Sequence, residues 1–376
     1  MVSRSVPVMS AVPGYATADG TARFRDRAVD ARRLPAEHFR EGPGRLALSS
    51  LGLGTYIGAP DAPTDLAVEQ SVTVCLTSGR VNVVDTAINY RYQRAERSVG
   101  RSIARLLERG EVRRDEVFVA TKNGYFAPDA ESSVPVDDWV DRELIATGIL
   151  RREDIVEDSH AMSPGYLTDQ FARSRKNLGL ETIDLLYLHN AADAQLTSVG
   201  RSEFDRRLEL AFRTCEQFRE AGTLRYYGLA TWECLRTRPD APGFYPLEEA
   251  VRLAEKAGGR NHGFRFVQFP FNIAMPEAAT LHNQPLGGKR HTLFDAASRL
   301  GVRCFTSVPL YQGQLARSGP KREGLTSAQT ALQFARAAPG TIAPLVGQKQ
   351  AQHLSENLEV ASRAPWGTEQ FRSLLH

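Results

Sequence analysis

From about Leu46 onward the chain alternates eight times between a short apolar run and a longer amphipathic one. The short runs fall at 46–56, 81–87, 117–122, 183–189, 226–231, 266–271, 303–309 and 342–347, and helical periods fit between them at 67–78, 94–109, 165–178, 203–220, 246–257, 291–300, 326–337 and 351–362. In 96–110, for example, Val99, Ile103 and Leu106 recur near helical spacing with arginines and glutamates between them, and Gly110 stops the run. A strand that is always followed by a helix pairs in parallel with its neighbours, and eight such units close a ring. The fold class expected is therefore α/β, a (β/α)8 TIM barrel spanning 45–376.

Residues 1–44 are rich in Arg, Ala, Gly and Pro and show no sustained period, so an N-terminal extension, partly irregular, is expected there. About 40 residues separate Lys122 from the third helix. This is a long loop insertion after strand three, with a helix of its own expected near 136–147, and connections of this length commonly act as lids or binding loops. A second long connection, 271–290, leaves the same rim. The 376 residues would accommodate two average domains, but α/β barrels commonly run this long as one unit.

Forty-seven basic residues against 44 acidic ones leave a net charge of +3 with no basic block, so no nucleic-acid partner is implied. Cys75, Cys215, Cys234 and Cys304 are far apart and form no CxxC pair, which suggests neither a metal site nor a disulfide framework. The first thirty residues lack the apolar core of a secretory signal, and no apolar run approaches 20 residues. A cytoplasmic protein with no membrane partner is the expectation.

Four residues carry the chemistry: Asp85 and Tyr90 in VNVVDTAINY, Lys122 in VFVATKNG and His189 in IDLLYLHN. Asp85, Lys122 and His189 stand where strands two, three and four stop, and in a barrel all those ends open onto one rim. Free phenol and free amine lose protons near pH 10, too high for acid chemistry at neutral pH. An ammonium beside the phenol lowers its pKa, and a carboxylate beside the amine keeps it charged. The expected division of labour has Asp85 holding Lys122, Lys122 tuning Tyr90, and neutral His189 supporting charge on a substrate oxygen. Each residue alone has a bland structural reading; together at successive strand ends they suit reduction of a C=O by an external hydride.

The segments LGLGTY (51–56), DTAINY with AERSVG (85–100), ATKNG (120–124), SRKNLGLETIDLLYLH (174–189), GTLRYYGLA (222–230), VQFPFN (267–272) and VGQKQAQHLSEN (346–357) resemble the aldo-keto reductases, in the same order. The resemblance implies a barrel that binds NADP(H) without a Rossmann domain. Tyr90 would be the general acid or base, Lys122 and Asp85 its tuning pair, and His189 the group that orients the carbonyl. Implied cofactor contacts are Gly54, Thr55 and Tyr56 after strand one, Thr231 after strand five, and Gln268 on the carboxamide. Leu310, Gly313 and Leu315 follow near the pyrophosphate, then Gly347, Lys349, His353, Glu356 and Asn357 around the adenosine. Lys349 would supply the cation for a 2′-phosphate, so NADP(H) is expected over NAD(H), which stays possible; the arginine common four residues on in the family is His353 here.

Two positions depart from the family pattern. Where many members carry Ser-Asn at the end of strand five, this chain has Thr231 and Trp232, and where an aromatic precedes the SPL element of strand seven it has Ser307. Trp232 either lines the substrate pocket and takes over part of the stacking, or packs against a helix. Tyr125, Phe126, Trp139 and His160 in the long loop suggest an apolar pocket for a small-molecule carbonyl substrate, although Trp139 suits a core within the loop and His160 a plain loop position. Two other function classes stay open: a nucleotide-binding regulatory subunit with little turnover, and a non-redox enzyme using Lys122 as a Schiff-base amine, which an adjacent Asp85 disfavours.

Overall fold

The computed structural model describes residues 11–375. Eight parallel strands close a barrel. They are β1 (Gly52–Gly54), β2 (Val83–Asp85), β3 (Phe118–Asn123), β4 (Ile183–His189), β5 (Leu224–Ala230), β6 (Phe264–Pro270), β7 (Arg303–Ser307) and β8 (Thr341–Gly347), and β8 pairs with β1 to complete the ring. The ring helices are α1 (Ala62–Thr77), α2 (Arg94–Glu108), α3 (Pro164–Leu178), α4 (Arg201–Glu220), α5 (Leu247–Gly258), α6 (Leu293–Arg299), α7 (Ser327–Ala337) and α8 (Ala351–Glu359). All eight expected units are present. No helix among the described residues is long and apolar enough to cross a membrane.

Alternation along each strand sends every second side chain into the barrel. Val83, Phe118, Ala120, Leu185, Tyr187, Phe266, Phe305, Ala343 and Leu345 fill it as one buried cluster. The tightest approach inside the wall is at Gly228, where any Cβ would come within 2.0 Å of the Phe266 carbonyl oxygen. The outer faces of the strands meet the ring helices in a larger core, which takes up all four cysteines as free, buried thiols.

The run at 46–56 is two strands rather than one. Ala47–Ser49 pairs antiparallel with Phe39–Glu41, and only Gly52–Gly54 joins the barrel. The break comes at Ser49 and Ser50: Ser49 Oγ donates to the Leu51 carbonyl, while its N–H donates to Asn82 Oδ1. Leu46, Leu48 and Ala16 thereby become the floor of the barrel, packed on its interior cluster. Ahead of this hairpin, where the sequence shows no sustained period, stands a helix, Ala18–Arg32. Its buried face consists of Gly20, Thr21, Phe24 and Ala28. A face with one large apolar residue leaves little hydrophobic period, which is why pattern alone did not reveal it. Arg23 and Arg27 tie this helix to Asp115 and Glu116 just below β3.

The long loop after β3 does contain the expected helical segment, Val136–Trp139 continuing as a wide π turn over Val140–Ile145. Trp139, Val140, Leu144, Leu150, Ala161 and Tyr166 form a satellite core beneath it.

Candidate active site

One step above the interior cluster, the strand ends form the mouth of the barrel. Asp85 (β2), Lys122 (β3), His189 (β4) and Gln268 (β6) place long polar side chains there, whereas Gly54, Ala230, Ser307 and Gly347 place almost nothing on β1, β5, β7 and β8. Long polar groups are therefore concentrated on β2, β3 and β4, with Gln268 reaching in from β6 between the small residues of β5 and β7. That asymmetry follows from residue size alone and is legible only once the register is known.

Lys122 Nζ donates to Asp85 Oδ2 at 2.5 Å and to the Thr86 carbonyl at 2.9 Å. Gln268 Nε2 donates to the other Asp85 oxygen at 3.1 Å. The ammonium lies 4.7 Å from the centre of the Tyr90 ring. Tyr90 in turn stands edge-on to His189, with ring centres 5.9 Å apart. The four sequence-predicted residues are thus brought together.

Tyr90 is held by an unusual backbone. Arg91, Tyr92 and Gln93 directly after it all adopt left-handed conformations, with φ of 50°, 52° and 71°. Three such non-glycine residues in a row cost on the order of 1–2 kcal/mol each, so their surroundings must fix them. Arg91 is locked to Asp65 of α1 at 2.5 Å, and Gln93 donates to the Ala127 carbonyl at 2.7 Å and accepts from Asn177 at 3.1 Å.

Burial sets the protonation of the site. It works against the Lys122 ammonium, but Asp85 and Tyr90 together hold that group above its ordinary 10.5. Burial pushes the Asp85 carboxyl upward, against the opposing pull of Lys122 and Gln268. With both carboxylate oxygens taken up by donors, the pair is an ion pair, as in other well-bonded buried pairs. Burial also pushes the Tyr90 phenol above 10, and the charge on Lys122 offsets only part of that. The sequence expectation of a lowered phenol is corrected here: dehydration outweighs the neighbouring ammonium. Burial first, then Lys122 and His160, drive His189 well below 6.5, so its imidazole is neutral.

His189 rests on a second histidine, His160, for which the sequence predicts a plain loop position. His160 is buried; its Nε2 donates to the His189 carbonyl at 2.8 Å while its Nδ1 accepts from Gln195 at 2.9 Å. Burial pushes its pKa down to about 4, which matches this neutral donor–acceptor pattern. His160 is therefore a support rather than a substrate contact. Tyr125 packs edge-on to both rings, 5.0 Å from His160 and 5.2 Å from His189, and its hydroxyl accepts from Asn190 at 3.2 Å. Nδ1 of His189 is buried and without a partner.

The remaining expected residues divide. Thr55 donates to the Asp85 carbonyl at 3.1 Å, and Tyr56 meets the Tyr90 ring edge-on at 4.9 Å. Thr231 is turned to the Gln268 carbonyl, 3.4 Å from its hydroxyl. Trp232 stands just past β5 at the rim, 40% exposed. Phe126, half-buried, packs edge-on to Tyr166 and against the satellite core of the long loop. Trp139 lies in that core as well.

The expected cofactor residues of the last two units follow β7 and β8. Gly313, at φ 84°, caps a short helix that begins at Gln314, with Leu310 half-buried and Leu315 buried beside it. Gly347 ends β8, and Lys349 Nζ leans 3.5 Å from the Ile57 carbonyl, toward the loop after β1. On α8, His353 is exposed, Glu356 accepts from Thr326, and Asn357 is buried with its carbonyl oxygen unpartnered. Small residues at the ends of β1, β7 and β8, a loose cation and orphaned polar atoms at His189 and Asn357 fit an extended, phosphate-bearing nicotinamide cofactor. No cluster of side chains suited to a metal ion occurs among the described residues.

A family model described as the aldo/keto reductase family matches residues 50–239, 190 of the 376 residues. No curated protein sequence matches the chain. Among solved structures, the fold is similar to an aldo-keto reductase of Bacillus halodurans in its holo form, at 17% identity and a TM-score of 0.59, over 89% of this chain and 94% of that one. It is also similar to an aldo/keto reductase of Klebsiella pneumoniae in complex with NADP and acetate, at 17% identity and a TM-score of 0.57, over 90% and 94%. A third, a thermostable aldo-keto reductase in complex with the inhibitor epalrestat, shares 18% identity at a TM-score of 0.58, over 89% and 97%. With a matching family model over half its length and the barrel that goes with it, the chain belongs to the aldo/keto reductase family.

Proposed function

We propose that this protein is an NADP(H)-dependent oxidoreductase that reduces an aldehyde, ketone or keto sugar to the alcohol, and runs the reverse oxidation. The observation that carries the reading is the buried Lys122–Asp85 ion pair lying 4.7 Å from the Tyr90 ring, with His189 beside it. When bound, the cofactor supplies the hydride. Tyr90 then hands its phenolic proton to the carbonyl oxygen as negative charge grows there. A raised phenol pKa suits a group that must stay protonated until that moment, and the nearby ammonium stabilises the phenolate that remains. Neutral His189, fixed by Tyr125 and His160, donates to the same oxygen and orients the carbonyl. Lys122 is held charged by Asp85, which argues against a Schiff-base role that needs the free amine.

Support for the cofactor comes from the glycines and small residues on β1, β7 and β8, from Lys349 as the cation for a 2′-phosphate, and from two Klebsiella pneumoniae aldo-keto reductases of similar fold in complex with NADP and NADPH. NAD(H) would use the same groove without that cation. The test is a panel of aldehydes, ketones and keto sugars with NADPH and NADH, followed by loss of reduced cofactor. Turnover with NADPH that disappears in Tyr90→Phe is the expected result; Tyr90→Phe turning over at the wild-type rate would remove the proton-transfer role.

A further inference from the structure

Trp232 is a large aromatic residue, part-exposed at the rim, on a backbone that is firmly held. Its N–H donates to Asp193 Oδ2 at 3.0 Å, and the N–H groups of Glu233 and Cys234 donate to Asp193 Oδ1 at 2.6 and 3.0 Å. Its carbonyl accepts from Arg236 Nε at 2.8 Å, and Arg236 is itself paired with Glu277 at 2.9 Å. Asp193 lies on the short helix Ala191–Val199 that begins two residues after His189, and Glu277 lies beyond β6. Three rim loops therefore converge to fix the backbone that carries Trp232, a residue 40% exposed. Of the other tryptophans, Trp139 lies in the satellite core and Trp366 packs on the main core.

Opposite Trp232, four strands around a ring of eight, stands Tyr56 after β1, 63% exposed and edge-on to Tyr90. The reacting groups lie on the strands between them. Arg91, Arg94 and Arg236 on the flanking loops are each engaged by a carboxylate, so an anionic substrate finds no free partner among them. A part-exposed indole on a firmly held backbone is a surface for stacking a flat, uncharged ring, because the backbone share of the ordering cost is already met when the ring arrives.

We propose that Trp232 determines specificity by stacking the planar, uncharged aromatic or conjugated part of a carbonyl substrate, with Asp193 and Arg236 as its positioning residues. This rests on the carbonyl-reductase reading above and names the substrate class for it. Two probes separate the contributions: 2-naphthaldehyde, which carries a flat ring, and propanal, which has none. In Trp232→Ala the ratio of the two KM values moves against 2-naphthaldehyde by roughly tenfold, the upper range for one aromatic stack. Trp232→Phe restores most of the ratio, and Asp193→Asn shifts it in the same direction with the indole still present. Equal changes for both probes, or a rise in KM for NADPH in place of the carbonyl, would overturn the proposal. Quenching of tryptophan emission by 2-naphthaldehyde supplies a readout that needs no turnover. Quenching is expected in wild type and lost in Trp232→Ala, which keeps Trp139 and Trp366 but has no ring at position 232; saturable quenching that persists in that variant also overturns it. If wild type oxidises NADPH with no carbonyl at all, the reductase reading fails, while this titration still decides whether Trp232 binds a flat ring.

Discussion

Replacing Asp85 by Asn tests whether the centre of the site is an ion pair in a dry environment. Lys122 and Asp85 are both buried, the lysine side chain only 1% exposed, and they touch at 2.5 Å. Asparagine keeps the shape and the contact with Gln268 but leaves a buried ammonium facing a neutral group, with the Thr86 carbonyl as its remaining partner. Breaking a buried pair in this way costs about 3–5 kcal/mol, because the surviving charge stays desolvated. An unfolding entropy of about 2.1 cal/mol/K per residue makes about 0.8 kcal/mol/K for a chain of this length, so the expected drop in Tm is about 4–6 °C. The pKa of Lys122 is raised above its ordinary 10.5, so its charged form contributes fully below that value and is lost only as pH rises through the folded-state pKa. Thermal denaturation at pH 7–8 therefore reads the pair intact in wild type. Adding Lys122→Met removes the stranded charge, and the double variant is expected to regain most of the lost stability while staying inactive. A single variant that loses less than about 1 °C, or a double variant less stable than the single one, would refute the ion-pair account.

Three further outcomes follow from the same geometry. Tyr90→Phe keeps the ring beside Lys122 but removes the proton, so kcat falls on the order of 10²–10⁴ while NADPH titrated by its own fluorescence still binds. Lys349→Met raises the KM for NADPH by roughly fivefold, the scale of one partly exposed ion pair, and leaves the KM for NADH nearly unchanged; a matched rise in both would place the cation elsewhere. Burial lowers the pKa of His38 to about 3 and those of His160 and His262 to about 4. A histidine whose folded pKa lies below its unfolded 6.5 contributes full stability above that value and loses it as pH falls, because the unfolded chain takes up the proton first. His38 and His160, both fully buried, should each cost about 2 kcal/mol between pH 7 and 5, and His262 less; urea denaturation reads the loss, and His160→Gln should reduce it by its own share.

What the sequence makes legible is governed by which interactions leave a local trace. Alternating apolar runs locate all eight barrel strands, since inward and outward faces both need apolar residues, and the strand ends then place Asp85, Lys122 and His189 at one mouth. The split at Ser49 leaves no such trace, because the floor strand and β1 are equally apolar and only Asn82, distant in sequence, separates them. The helix Ala18–Arg32 is hidden by a face built from Gly, Thr and Ala. At the site, the sequence supplies the charged pair but misjudges its effect on Tyr90, since the cost of dehydrating a phenol depends on everything packed around it. The supporting roles of His160 and Asp193 are invisible for a related reason: one supports a carbonyl and the other holds three N–H groups, and backbone partners carry no side-chain signature. The consequence is that the reacting groups are written in strand ends, whereas the parts that aim them are written in loops. Specificity should accordingly change with Trp232, Asp193 and Tyr125 while the chemistry stays with Tyr90, and exchanging loop residues should move KM ratios between substrates far more than it moves the pH dependence of kcat.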